Sequence, residues 1–405
     1  MIKEINSQVF FVKGAKKGLI YDLRKEYAKL IWINEATTRT LEKVINTRSL
    51  HLLKSETLKK LIDLDLFGPA HIDTSTEFPF FPQNHVAIKI KFVWIEVTNK
   101  CNLKCIHCYS SSSNLNHNFI TIDDFHTAIS EIKNIGCNKI QLTGGEPLLH
   151  PQIFQLIEIA HKKNIEVELF TNATLLSEKH LSFFREKNIK IAISILGDKK
   201  ATELITKTPD SLNRVIKNIK SVIDNGIELR LSTTTMGVNI NKVPSKLFNL
   251  PIRKTHLRLT GRASTKLLNS DIIRNRLITI KTFRRKIKSK DILNNFLQHP
   301  CFGSKIFIDS SLDIYPCIME NRIKYGNLKE DSLENILKRN MFYITLTKDK
   351  VNICKSCEFR YACFDCRPDS PKNFLDKPWY CSYDPYRGDF ISEDYMINLI
   401  LNQHS

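Results

Sequence analysis

The chain has 405 residues, enough for two or three domains, and a hydrophobic content of 42% that supports a packed core. Its formal charge is +19, from 61 Lys and Arg residues against 42 Asp and Glu residues. That balance suits an acidic partner, but the lysines are scattered and no aromatic-basic RNA motif accompanies them, so we do not expect a nucleic-acid partner.

The cysteines and the apolar segments indicate the cellular compartment of the protein. Eleven cysteines are clustered at metal-ligand spacings rather than spread as a disulfide scaffold, which indicates a reducing compartment. No run of 18 apolar residues suggests a membrane span, and the N-terminus has no signal-peptide pattern. These features predict a soluble cytoplasmic protein without a membrane partner.

The first 85 residues predict a small module. Residues 8–12 and 18–22 are typical of strands, and residues 36–45 and 57–64 are typical of short amphipathic helices. Pro and Gly residues in 67–84 predict a linker. A winged-helix-like recognition module and a structural cap on the following domain both fit this pattern.

Three cysteines follow the next apolar strand, at residues 92–97, with the spacing C-x3-C-x2-C. They are Cys101, Cys105 and Cys108. Soft thiolates suit iron-sulfur clusters, and three of them hold three irons of a 4Fe-4S cube while leaving the fourth iron open. The alternative is a zinc knuckle or structural thiols.

Strand and helix patterns alternate beyond this loop. Apolar strands are predicted at residues 92–97, 139–143, 166–171, 190–195, 228–233 and 256–260. Helical patterns between them include one that begins at residues 121–124 and one that ends at Gly226. Six such units predict an α/β fold, a partial (β/α)6 barrel whose chemistry lies at the C-terminal ends of the strands.

Polar and small residues stand at those strand ends. Gly144 and Gly145 end the second strand and allow close approach of the backbone, and the carboxylate of Glu146 can receive an ammonium group. Asn172 and Ser194 end the third and fourth strands. Structural turns and caps are the alternative for each.

Seven further cysteines follow the barrel, with a central spacing of C-x2-C-x5-C-x2-C. They are Cys301, Cys317, Cys354, Cys357, Cys363, Cys366 and Cys381. Seven thiolates exceed one tetrahedral zinc site, and the number fits two iron-sulfur clusters better.

The cysteine loop and the Gly-Gly-Glu-Pro segment together resemble the radical S-adenosylmethionine (SAM) enzymes. The resemblance implies that SAM chelates the open iron and is cleaved to a 5′-deoxyadenosyl radical, which abstracts a hydrogen atom from the substrate. It implies SAM contacts at Gly144, Gly145, Glu146, Asn172 and Ser194, and at His107, which precedes the last loop cysteine. It also implies an electron donor such as a flavodoxin or ferredoxin.

The C-terminal cysteines resemble the SPASM extension of radical SAM peptide maturases, which carries two auxiliary 4Fe-4S clusters. The resemblance places Cys354, Cys357, Cys363 and Cys381 on an outer cluster, and Cys301, Cys317 and Cys366 on an inner one with an unidentified fourth ligand. Leu312 replaces the usual glycine before Cys317. The segment 354–368 is similar to the grasp-with-spasm maturases, which implies an ATP-grasp ligase as a partner.

These observations predict three domains and a peptide-modifying enzyme. The domains are a precursor-recognition module at 1–85, a radical SAM partial barrel at 86–290 and a SPASM-like cluster domain at 291–405. Modules such as the first bind a leader peptide as an added strand in many radical enzymes of this kind. The alternatives are a sulfatase-maturase-like oxidation of Cys or Ser in a protein client, and a non-catalytic iron-sulfur docking subunit.

Overall fold

The computed structural model describes residues 9–47, 89–236 and 250–402, with single positions between 52 and 63. The predicted linker at 67–84 lies outside the described residues, and so does most of the predicted helix at 57–64.

The described strands and helices follow one another along the chain. The strands are β1 (Val9–Lys13), β2 (Gly18–Asp22), β3 (Lys29–Ile33), β4 (Phe92–Thr98), β5 (Lys139–Gly144), β6 (Glu166–Thr171), β7 (Lys190–Ser194), β8 (Leu229–Thr235), β9 (Ile252–His256), β10 (Lys305–Ile308), β11 (Asp313–Tyr315), β12 (Gly326–Asn327), β13 (Tyr383–Asp384) and β14 (Asp389–Phe390). The helices are α1 (Glu35–Thr47), α2 (Ile122–Asn134), α3 (Ile153–Lys162), α4 (Glu178–Glu186), α5 (Lys199–Thr206), α6 (Ser211–Asp224), α7 (Ser270–Arg276), α8 (Ile280–Phe283), α9 (Ser289–Leu297), α10 (Leu333–Arg339), α11 (Met341–Ile344) and α12 (Glu393–Asn402).

By compactness the described residues form two units. One, which we call the cysteine unit, draws on the described residues within 1–87, 277–300 and 345–400. The other, the sheet unit, draws on the described residues within 88–276 and 301–344 and on residues 401 and 402. The domain bounds given above remain predictions.

The sheet unit is built on a large, mainly parallel sheet. Its strand order is β12-β11-β10-β4-β5-β6-β7-β8-β9, and the strands from β10 to β9 in this order pair in parallel. In β4, Val93, Ile95 and Val97 are fully buried, and the intervening side chains point to the other face. The predicted α/β class with a parallel sheet is confirmed.

The last predicted strand is misplaced. The structure places it at Ile252–His256, where it pairs with β8, whereas the prediction was 256–260. The alternating Leu257 and Leu259 produced the error. They lie beyond the end of the strand and pack into an apolar cluster with Leu196 and Ile205. Strand β10 was not predicted, since four residues give too short a pattern.

The helices of the sheet unit begin and end largely as their sequences predict. Thr121 caps α2, and its Oγ1 accepts a hydrogen bond from Asp124 N at 3.0 Å. The predicted apolar face of α2 is buried in full, at Phe125, Ala128, Ile129 and Ile132. Gly226 follows α6 with a φ of +65°, a conformation that glycine adopts without strain.

The cysteine unit joins the two ends of the chain. Strands β1, β2 and β3 form an antiparallel sheet in that order, and α1 follows with Leu41 and Val44 buried. Strand β3 was not predicted. Tyr21 Oη on β2 donates to Glu358 O at 2.7 Å, and Ala15 N donates to Ser356 O at 2.7 Å. The N-terminal strands therefore pack on the segment that holds the C-terminal cysteines.

None of the helices in the described ranges has both the length and the apolar composition needed to cross a bilayer.

Candidate active site

The loop that follows β4 holds the three cysteines at spacing C-x3-C-x2-C. Cys101 is 8% exposed, and Cys105 and Cys108 are half-buried. Leu103 N lies 3.4 Å from Cys101 Sγ, and Cys108 N donates to Cys105 O at 3.2 Å. Backbone groups thus shape the loop and turn one N–H towards a sulfur atom.

The thiols of this loop lie close to one another in an apolar setting. Burial raises the pKa of Cys101 to about 12, and that of Cys105 to about 12 with a further contribution from Cys101 and Cys108. Three thiolates at this position therefore need a positive centre, which iron supplies. In the described ranges, no three Cys, His, Asp or Glu side chains are placed to hold a single metal ion. A 4Fe-4S cluster does not require such a placement, because each thiolate binds a different iron.

The two glycines at the end of β5 lie against the chain that leads into the cysteine loop. A Cβ on Gly145 would lie 2.1 Å from Lys100 O, and one on Gly144 would lie 2.1 Å from Thr98 O. Gly145 N donates to Thr98 O at 2.7 Å, and Glu146 N donates to Lys100 O at 2.8 Å. The close approach that the sequence predicted is therefore used at least for backbone packing; a SAM contact at Gly144 and Gly145 remains a proposal.

Glu146 is fully buried and its carboxylate is surrounded by donors of this chain. Oε1 accepts from Thr171 Oγ1 at 2.7 Å and from Leu148 N at 3.1 Å, and Oε2 accepts from Asn172 N at 2.8 Å. Burial raises its pKa to about 7. The carboxylate joins the end of β5 to the end of β6, and its predicted contact with SAM remains a proposal.

Asn172 belongs to a polar network that reaches the cysteine loop. Its Nδ2 donates to Asn102 Oδ1 at 2.9 Å, and its Oδ1 accepts from Thr174 N at 2.9 Å. Asn102 Nδ2 in turn donates to Thr174 Oγ1 at 2.8 Å. The structure thus brings Asn172 next to the loop that Cys101 begins. Ser194, in contrast, makes a 3.5 Å contact with Ser232 on the neighbouring strand β8.

Two aromatic side chains flank Cys108. Burial, together with the nearby positive charge of Arg262, lowers the pKa of His107 to about 4, so the ring is neutral at physiological pH. Among the residues that the structure describes, His107 Nδ1 is buried without a hydrogen-bond partner. Tyr109 Oη lies 3.1 Å from Thr143 Oγ1 at the end of β5.

The segment that holds the cysteine loop in place was not predicted from the sequence. Arg262 Nε donates to Cys105 O at 2.9 Å, its Nη1 donates to Ser112 O at 2.5 Å, and its backbone N donates to Cys108 O at 2.9 Å. Gly261 has a φ of +62°, and a Cβ there would lie 2.2 Å from Cys108 O. The Gly-Arg pair after a strand was the available signal.

A second missed residue is Glu96, on β4 just before the loop. It is 8% exposed and accepts a hydrogen bond from Ser310 Oγ at 3.2 Å. Burial raises its pKa to about 7, with a further contribution from Asp309. A carboxyl group with a pKa near 7 at a strand end has the properties of a functional group.

Four of the C-terminal cysteines share one cavity. Cys354, Cys357, Cys363 and Cys381, the predicted outer ligands, line one cavity of the cysteine unit. Cys366 is not among the lining residues of that cavity, and its backbone N donates to Tyr380 Oη at 3.1 Å. Burial raises the pKa of Cys354 to about 11, so this cavity also favours a positive centre between its thiols.

Cys301 and Cys317 lie in the sheet unit, where burial and the nearby Cys301 help to raise the pKa of Cys317 to about 12. Leu312, which replaces the expected glycine, has a φ of +69° and is fully buried. Leu312 therefore adopts a left-handed conformation that glycine would adopt with less strain. Which cysteines bind which cluster remains a proposal.

Comparison with known protein families identifies both cysteine regions. Residues 95–243 match the radical SAM superfamily, and residues 301–358 match SPASM, an iron-sulfur cluster-binding domain. The chain therefore carries a radical SAM domain and a SPASM domain. Radical SAM and SPASM domains imply SAM, a 4Fe-4S cluster and auxiliary clusters, and the buried thiols described above fit these groups.

The relatives of the chain include a cyclase and a bacteriocin biosynthesis protein. It is 31% identical over 155 residues to GTP 3′,8-cyclase of Clostridium perfringens, which covers 36% of this chain and 47% of the cyclase. It is 29% identical over 148 residues to the antilisterial bacteriocin subtilosin biosynthesis protein AlbA of Bacillus subtilis, covering 36% and 33% of the two chains. The chain thus spans about half the length of the cyclase and about a third of the length of AlbA.

Among solved structures, Streptococcus suis SuiB bound to its precursor peptide SuiA has a similar fold. The TM-score is 0.57 at 15% sequence identity, over 92% of this chain and 97% of SuiB. At this identity the likeness establishes the fold.

Proposed function

We propose that this protein is a radical SAM enzyme that modifies a ribosomally synthesised precursor peptide. The observation that carries the proposal is the fold likeness to SuiB, a protein solved with its precursor peptide, over 92% of the chain. The matched SPASM domain and the sequence similarity to AlbA support the same substrate class.

The cysteine loop would hold the SAM-binding cluster, which together with SAM supplies the radical that abstracts hydrogen from the peptide. Its proposed ligands are Cys101, Cys105 and Cys108. Gly144, Gly145, Glu146, Asn172, Ser194 and His107 are the proposed SAM contacts. The neutral ring of His107 and its buried nitrogen without a described partner suit a polar contact with a bound cofactor.

The auxiliary clusters would be held by the C-terminal cysteines. The outer cluster is assigned to Cys354, Cys357, Cys363 and Cys381, because these four side chains line one cavity. The inner cluster is assigned to Cys301, Cys317 and Cys366 by family resemblance.

The N-terminal sheet offers an edge for a leader peptide. Strand β3 is an edge strand of the three-stranded sheet. Within the described residues, the segment just before β3 pairs with residues 287–289: Ala28 N donates to Ile287 O and Ser289 N donates to Glu26 O, both at 2.8 Å. An extended peptide could add beside Lys29–Ile33 through main-chain hydrogen bonds. An ATP-grasp ligase and a flavodoxin or ferredoxin remain proposed partners.

The test is anaerobic turnover with the peptide encoded beside this chain. Reconstituted enzyme, SAM and a reductant are mixed with that peptide, and the products are analysed by mass spectrometry. We expect formation of 5′-deoxyadenosine and a changed peptide mass, both absent from the Cys101→Ala/Cys105→Ala/Cys108→Ala variant. If SAM is cleaved and the peptide keeps its mass, the peptide substrate is wrong.

Iron analysis of the same two proteins tests the clusters separately from the substrate. We expect about twelve irons in the wild type and about eight in the triple variant, at four irons per cube. About four irons falling to none, with zinc present, would contradict the auxiliary clusters.

A further inference from the structure

Three charged side chains are buried beside the four-cysteine cavity of the cysteine unit. Lys348 Nζ lies 2.8 Å from Asp365 Oδ1, and Arg367 Nη2 pairs with Asp365 Oδ2. The side chains of Lys348, Asp365 and Arg367 are only 10%, 2% and 1% exposed. Two cations and one carboxylate leave one excess positive charge away from solvent.

Each member of this triad is fixed in place. Arg367 Nη1 donates to Phe374 O at 2.7 Å and to Asp376 O at 3.0 Å. Lys348 Nζ donates to Cys363 O at 2.5 Å, and both Lys348 and Asp365 line the cavity with the four cysteines. Arg367 therefore fixes the position of Asp365, and Asp365 fixes that of Lys348. The ammonium group of Lys348 in turn contacts the backbone of Cys363, a ligand of the proposed outer cluster.

Stability gives little reason for this arrangement. Removing charges from water costs several kcal/mol per ion, and buried ion pairs can often be replaced by apolar side chains of similar volume without loss of stability. An odd number of charges is costlier still, unless a negative group lies nearby. Four thiolates around a 4Fe-4S cube are such a group, because the thiolates and the sulfides together carry more negative charge than the irons carry positive charge.

We propose that Lys348, positioned by Asp365 and Arg367, raises the reduction potential of the cluster held by Cys354, Cys357, Cys363 and Cys381. The inference rests on the proposed ligand set. Reduction adds one electron and one negative charge to the cluster, and a fixed cation in a medium of low dielectric constant stabilises the more negative form. Lys348 thereby makes this cluster the better electron acceptor.

The experiment is an EPR-monitored redox titration with dithionite as the reductant. It uses the Cys101→Ala/Cys105→Ala/Cys108→Ala protein, so that only auxiliary clusters contribute. We compare Lys348→Met with Lys355→Met, which removes an exposed positive charge next to Cys354. Lys348→Met is expected to shift one cluster to a more negative potential, and Lys355→Met to leave both potentials close to the parent values.

Asp365→Asn is expected to shift the reduction potential in the opposite direction. It removes the only carboxylate of the triad and leaves both cations, so the same cluster is expected to shift to a more positive potential. A purely structural role would not move the two variants in opposite directions. Equal potentials in Lys348→Met and its parent, at equal iron content, overturn the inference.

Iron content separates failure of the inference from failure of the ligand set. A parent protein without about eight irons contradicts the auxiliary clusters themselves. If Lys348→Met loses its cluster, Lys348→Arg distinguishes a role of the charge from a role in packing. Retention of iron in Lys348→Arg supports a need for the positive charge. Loss of iron in both variants shows that Lys348 acts through packing alone.

Discussion

Glu96 is a carboxyl group whose behaviour no sequence pattern predicts. It lies near the end of an apolar strand, and its burial follows from the position of β10 beside β4, which brings Ser310 and Asp309 towards it. The role of the cysteines as metal ligands, in contrast, is predictable from the sequence, because their spacing is typical of metal-binding sites.

The raised pKa of Glu96 makes the stability of the protein depend on pH. The pKa is about 7 in the folded chain against 4.5 for an ordinary Glu, so the folded state binds more protons between these values. The resulting stabilisation is complete below about pH 4.5 and is lost as the pH rises through about 7. At 1.36 kcal/mol per pKa unit, the loss is on the order of 3 kcal/mol.

We therefore expect Glu96→Gln to flatten the pH dependence of stability. The thermal midpoint of the reconstituted wild type should fall more steeply between pH 5 and pH 7.5 than that of the variant. Glu228→Gln serves as the control, because Glu228 is 69% exposed and its ion pair with Lys190 contributes little. Parallel curves for wild type and Glu96→Gln would show that Glu96 keeps an ordinary pKa.

At the scale of elements, strands β4 to β8 are predictable because each combines apolar residues with a turn at its end. The error at the last predicted strand arose because an apolar alternation marks burial, and Leu257 is buried in a loop rather than in a strand. The short strand β10 pairs with β4, which is distant in sequence, and no local pattern predicts this pairing.

The segment at Gly261–Arg262 is an element whose role follows only from the fold. Two hydrogen bonds from the Arg262 guanidinium reach carbonyl groups on both sides of Cys108, and bonds from a charged donor contribute about 1.5–3 kcal/mol each. Arg262→Met should therefore loosen the loop and lower the occupancy of the SAM-binding cluster.

Iron content and the visible absorbance of the reconstituted protein measure this occupancy. We expect Arg262→Met to lose up to about four irons per chain, one cube, while Lys266→Met, which removes an exposed charge from the same segment, keeps the wild-type value. Wild-type iron content in Arg262→Met would mean that the backbone contacts of Gly261 and Arg262 hold the loop unaided.

At the scale of the whole molecule, the order of segments along the chain does not give their grouping in space. The sequence pattern predicts an N-terminal module apart from the C-terminal cysteines, yet the structure joins the N-terminal strands with Cys354, Cys357, Cys363, Cys366 and Cys381 in the cysteine unit. Composition and periodicity describe each segment by itself, whereas this joining depends on side chains such as Tyr21, Trp32 and Phe359 that meet only after folding.

That grouping predicts a link between the N-terminal sheet and cluster content. Tyr21 is fully buried, its ring stacks on Phe10 at 5.0 Å, and its hydroxyl donates to Glu358 O beside Cys357. Tyr21→Ala leaves a cavity, which costs about 3–5 kcal/mol for large aromatic side chains, whereas Tyr21→Phe loses one hydrogen bond worth about 1 kcal/mol.

We expect Tyr21→Ala to lose about four irons, those of the proposed outer cluster, and to keep the SAM cleavage that depends on Cys101, Cys105 and Cys108. Tyr21→Phe should keep all of its iron. Combined with the loop triple variant, Tyr21→Ala should leave about four irons, because the two losses concern different cysteines. If Tyr21→Ala keeps every iron and only the affinity for the precursor peptide falls, the N-terminal sheet is a recognition element and does not support the cluster.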